Sequence, residues 1–91
     1  VNEDQLAMIE DMAAHFMKPS DIAIMIGMKE DEFSEAIHDT SCEIYSRYQK
    51  GKITSIMELR RKIVKMAKNG SPQAEQLVVE FINDQRTGEQ F

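Results

Sequence analysis

The sequence predicts an all-α chain: an N-terminal three-helix, helix-turn-helix domain, then a long helix and a shorter helix forming an antiparallel hairpin. Three observations carry this. Apolar residues recur at three- and four-residue steps, which is the spacing of one buried helix face. Pro19, Gly27, Gly70 and Pro72 stand where helices begin or end. From Glu43 to Lys68 no proline interrupts a helical pattern. At 91 residues the chain buries a smaller fraction of its surface than a larger protein does, so length alone does not assure a stable monomer.

The first helix is expected from about Glu3 to Phe16, burying Leu6, Ile9, Met12, Ala13 and Phe16, with Glu3 and Asp4 at its positive end. Pro19 opens the second, which Gly27 ends after Ile26. The third runs from about Glu30 to His38 and buries Phe33, Ala36 and Ile37, followed by a turn or cap at Asp39, Thr40 and Ser41. The fourth, Glu43 to Lys68, spans about 39 Å at 1.5 Å per residue. Gly51 inside it costs about 1 kcal/mol relative to alanine and is a place for a kink. Asn69 and Gly70 cap that helix, and Ser71 with Pro72 starts the last one, whose inner face is Ala74, Leu77, Val78, Phe81 and Ile82, with Val79 pointing away. Three regions follow: 1–41 as the helix-turn-helix part, 42–85 as a hairpin for oligomerisation, and 86–91 as a frayed tail.

Charge is sorted along the chain. Val1 to Tyr45 carries Glu3, Asp4, Glu10, Asp11, Asp21, Glu30, Asp31, Glu32, Glu35, Asp39 and Glu43 against Lys18 and Lys29. Ser46 to Lys68 carries Arg47, Lys50, Lys52, Arg60, Arg61, Lys62, Lys65 and Lys68 against Glu58. Arg47, Lys50, Arg61, Lys62, Lys65 and Lys68 share one stripe of the long helix and repel one another unless an anion lies nearby. That anion is either DNA or the acidic part of another copy. Arg60 and Lys52 fall in the apolar half, where such residues pair or snorkel.

Ile22, Ala23, Ile26, Gly27, Met28, Phe33 and Ala36 fill the buried and turn positions of a helix-turn-helix: a small residue at the crossing, glycine at the reversal, apolar residues locking the pair. The second helix of such a motif presents Lys29, Ser34 and His38 to DNA together with Glu30, Asp31 and Glu35. Carboxylates repel phosphates, so base-specific reading by this helix alone is not expected. The DNA-contact set is Lys18, Lys29, Ser34, His38, Arg47, Lys50 and Lys52. The apolar half of the long helix is wider than packing against one neighbour needs, so Ile53, Ile56, Met57, Leu59, Ile63 and Val64, with Val79, form the oligomerisation set.

Several classes fall away. No apolar run reaches the roughly 20 residues of a membrane span. The alternating ligands of a calcium loop, paired histidines at metal spacing, a phosphate-cradling glycine loop and a nucleophile set are all missing, so the reading is a non-enzyme without metal or cofactor. Cys42 is the single cysteine, read as a small buried hydrophobe. With no internal disulfide available, a reducing cytoplasm is the simplest location.

The helix-turn-helix followed by Tyr48, Gly51, Arg60, Arg61, Ala67, Gly70, Ala74 and Phe81 resembles the phage terminase small subunit, over nearly the whole chain from about Ile9 to Ile82. The resemblance implies an N-terminal domain for double-stranded DNA, a helical hairpin that assembles rings, a large terminase ATPase subunit as partner, and the bacterial host cytoplasm as location. Two other readings stand beside it. One is a helix-turn-helix transcription regulator or transposase-type domain on a palindromic site. The other is a protein-interaction module whose acidic head binds a basic partner and never meets DNA.

Overall fold

The computed structural model describes residues 1–90. Five helices account for the secondary structure, with no strand among the described residues: α1 Glu3–Ala14, α2 Pro19–Ile26, α3 Glu30–Ala36, α4 Glu43–Lys68 and α5 Pro72–Glu89. They form two compact units, Val1–Ile56 and a second that begins at Met57. The division falls inside α4, later than the 41/42 boundary read from the sequence, because the first part of α4 belongs to the core of the first unit.

That core follows from helical spacing. Leu6, Ile9, Met12 and Ala13 of α1 meet Ile22, Ala23 and Ile26 of α2, Phe33 and Ile37 around α3, and Ile44 and Tyr48 of α4. Phe33, Ile9 and Ile22 are its largest fully buried side chains, and Phe33 meets Tyr48 edge-on with ring centroids 6.2 Å apart. Met17, Met28, Ala36 and Cys42 pack against it from partly exposed positions, so Cys42 is a rim residue rather than a fully buried one. Asn2 and Gln5 close a capping box on α1: the Gln5 N–H donates to Asn2 Oδ1 at 2.8 Å and the Asn2 N–H donates to Gln5 Oε1 at 2.9 Å. Gln5 Nε2 also donates to the Ile26 carbonyl at 3.0 Å, which ties the start of α1 to the end of α2.

Helices α1, α2 and α4 end with the same pair of backbone bonds, a left-handed residue closing the last turn. Phe16 and Met17 return to Ala13 and Met12, Gly27 and Met28 to Ile24 and Ala23, and Gly70 and Ser71 to Ala67 and Met66. Gly27 and Gly70 adopt positive φ without steric cost, but at the end of α1 the left-handed residue is Phe16, at φ 58°. The reversal explains two departures from expectation: α1 stops at Ala14, and Phe16 is 53% exposed instead of buried. Helix α3 also stops early, at Ala36. Beyond it Asp39 Oδ1 accepts from the Ser41 hydroxyl at 2.7 Å and the Ser41 N–H at 3.0 Å, forming the expected turn into α4. These two donors, the hydroxyl first, hold the Asp39 carboxyl below its ordinary range.

Helix α4 passes Gly51 without interruption. The glycine is buried where α4 crosses α1: a methyl group there would overlap the Glu10 carbonyl oxygen and lie 3.1 Å from Ala13 Cβ. Gly51 therefore serves close helix approach rather than a kink. One turn later the Ser55 hydroxyl donates to the Ala14 carbonyl, capping the end of α1.

In the second unit, Ser71 Oγ accepts from the Ala74 N–H at 3.3 Å and Pro72 occupies the first helical position, as expected. Helix α5 continues to Glu89, through most of the residues read as a tail; Phe91 lies outside the described residues. Arg60 joins the two helices here, its Nη2 3.2 Å from Asp84 Oδ2 and its guanidinium 4.3 Å above the Phe81 ring. This is the paired, structural role expected of an arginine in the apolar half.

Candidate nucleic-acid and assembly surfaces

The first unit positions its cations in three different ways. Lys18 and Lys29 are the N-cap residues of α2 and α3 and are exposed. Lys50 is exposed on α4. Arg47 and Lys52 are engaged within the unit. Arg47 Nη1 lies 2.8 Å from Glu3 Oε1 and its Nε 2.7 Å from Glu10 Oε1, so one guanidinium staples α4 to two turns of α1. Glu3 and then Glu10 raise its pKa further above its already high ordinary value. Lys52 Nζ sits 5.2 Å from the centroid of Tyr48, a half-buried cation over an aromatic face. Of the five lysines and arginines in the expected DNA-contact set, these two have partners inside the chain.

Ser34 and His38 are both exposed on the α3 side, and they serve each other: the Ser34 carbonyl lies 2.7 Å from His38 Nδ1. A carbonyl only accepts, so Nδ1 carries the hydrogen and caps a carbonyl at the end of the helix. His15 does the same for the Asp11 carbonyl at 2.7 Å at the end of α1. The rest of this face is acidic. Glu30, Asp31 and Glu32 occupy the first turn of α3 and are exposed, where the helix dipole favours them and a phosphate would be repelled.

The second unit holds the larger group of cations without an ion-pair partner. Arg61, Lys62, Lys65 and Lys68 are exposed, and among the described residues none forms an ion pair. At about 100° per residue they fall within roughly a third of the helix circumference. They belong to the basic stripe of the sequence but not to its short contact set; only the packing of Arg47 and Lys52 separates engaged from free cations.

Apolar side chains remain exposed in both units. Ile53 is 60% and Ile56 36% exposed in the first; Met57, Leu59, Met66, Leu77, Val79 and Ile82 range from 40% to 55% in the second. Ile63 and Val64 are half-buried. Val64 joins Arg60, Val78, Phe81, Ile82 and Gln85 in lining an open groove of about 430 Å³. Ala74 is the one fully buried hydrophobic side chain among the described residues of this unit. Two helices alone do not enclose a core.

Among the described residues no three His, Cys, Asp or Glu side chains gather so as to hold a metal ion, and no helix is long and apolar enough to cross a membrane. Comparison with protein families, curated proteins and solved structures finds no match to this chain.

Proposed function

We propose that this chain is a non-catalytic, self-assembling adaptor that binds double-stranded DNA, of the kind that recognises viral DNA for genome packaging and similar to a terminase small subunit. The observation that carries the reading is the basic face of α4: Arg61, Lys62, Lys65 and Lys68 are exposed and form no ion pair among the described residues, although the chain as a whole is acidic. Like charges at three- and four-residue spacing destabilise a helix by about 0.2–0.5 kcal/mol per pair, a cost that a polyanion offsets. Read as a helix-turn-helix, α2 and α3 add Lys18 and Lys29 as phosphate contacts, while the acidic first turn of α3 keeps that helix from reading bases deeply. Exposed apolar side chains on α4 and α5 supply the surface for assembly, and assembly multiplies a weak affinity per subunit. In a packaging role the partner would be a large ATPase subunit.

Fluorescence anisotropy with a labelled duplex, repeated across a salt series, tests this. Binding is expected at low salt, falling steeply as salt rises. Replacing Arg61, Lys65 and Lys68 together by alanine should lessen the slope of log K against log salt by about 2–3, since each phosphate neutralised by the protein adds roughly 0.9 to that slope. A wild-type chain indifferent to duplexes at the lowest salt leaves the protein-interaction reading in its place.

A further inference from the structure

We infer that the second unit is half of a four-helix bundle completed by a second copy of this chain, with α4 of each copy beside α5 of the other. The inference deepens the self-assembly part of the function proposed above and rests on it. Two independent observations lead there.

The first is the missing core. Arg60, Val64, Val78 and Phe81 bring α4 and α5 together, yet Leu59, Met66, Leu77 and Ile82 stay 40% to 54% exposed beside that seam. Leu59, Ile63 and Met66 follow one another at steps of four and three along α4, with Leu59 and Met66 exposed and Ile63 half-buried, which makes a continuous apolar ridge. A ridge of this kind packs into the groove of another helix, and a pair of hairpins is the smallest assembly that encloses it.

The second is charge, which names the occupant. From Met57 to Lys68, α4 carries Arg60, Arg61, Lys62, Lys65 and Lys68 against Glu58; α5 carries Glu75, Glu80, Asp84 and Glu89 against Arg86. One helix is basic and its neighbour acidic. Two copies related by a twofold axis set Lys62 and Lys65, the cations of α4 nearest the Leu59–Met66 ridge apart from the paired Arg60, against acidic α5 at both new helix contacts and leave Arg61 and Lys68 facing away from it, so the surface is complementary to itself. An unrelated acidic or basic partner would match only one of the two helices.

A charge exchange reads this directly. One variant carries Lys62→Glu and Lys65→Glu, the other Glu75→Lys and Glu80→Lys, which spares the Arg60–Asp84 pair. In sedimentation equilibrium and native mass spectrometry without DNA, the wild type is expected as a dimer. Each variant alone should dimerise at least tenfold more weakly, since the first neutralises α4 and the second sets like charges at both new contacts. Their equimolar mixture should recover a dimer containing one copy of each. Met66→Glu, which charges the ridge, should give a monomer that retains helical circular dichroism. A wild-type monomer, a particle larger than two copies, or variants that dimerise alone as well as in the mixture would each overturn the bundle. The DNA reading fails separately: a dimer that ignores duplexes keeps the bundle and removes the DNA-binding role, whereas a larger ring that binds duplexes does the reverse.

Discussion

Phe16 holds the left-handed position that glycine holds at the ends of α2 and α4, with φ 58° against 74° at Gly27 and 94° at Gly70. For an L side chain this conformation costs roughly 1–2 kcal/mol, and glycine returns about 0.4–1 kcal/mol of that through its freer unfolded state. Because the Phe16 ring is 53% exposed, removing it sacrifices little packing. Phe16→Gly should therefore stabilise the chain by about 0.5–1 kcal/mol, raising the thermal midpoint by roughly 2–8 °C in a domain of this size. Thermal melts followed by circular dichroism check it, and a lower midpoint would mean that the ring packs more than its exposure indicates. The apolar spacing continues through Phe16, so the sequence alone places it in the core; the helix leaves that register after Ala14 because Phe16 N–H and Met17 N–H turn back to Ala13 and Met12.

Gly51 and Arg47 decide how α4 sits on α1 within the first unit. Helix propensity alone favours Gly51→Ala by about 1 kcal/mol. The buried crossing reverses the sign, since the added methyl meets the backbone of Glu10, with its carbonyl carbon 3.0 Å away, and backbone cannot rotate aside. Overpacking of this sort costs about 1–3 kcal/mol or more. Gly51→Ala is expected to lower stability by about 1–2 kcal/mol net of the propensity gain, read from the urea midpoint; an unchanged or higher midpoint would place the helices further apart. The long helix itself was legible from its unbroken pattern. That its one interior glycine marks a crossing was not, because a kink and a close approach call for the same residue.

On the scale of the whole chain, the charge sorting of the sequence is partly resolved by folding. The acidic run ends at Tyr45 but the first unit runs to Ile56, so Arg47, Lys50 and Lys52 join the acidic part. Arg47 takes Glu3 and Glu10 as its anions, leaving Arg61, Lys62, Lys65 and Lys68 as the larger free group. Arg47→Ala should lower the urea midpoint, because the side chain is three-quarters covered and its guanidinium bonds two carboxylates. The same variant should leave duplex affinity within about twofold of wild type. Denaturation and anisotropy on one preparation check both halves, and a large drop in DNA affinity with stability intact would return Arg47 to the contact surface.

The sequence by itself determined an all-helical chain and the starts of its helices, because helical periodicity, Pro19, Pro72, Gly27 and Gly70 act through local backbone geometry that needs no partner. It also set the wide apolar half of α4. Tertiary structure decided which cations are free and where the two units divide. Each of those depends on which groups from distant parts of the chain come within a few ångströms, and spacing along a sequence does not record that distance.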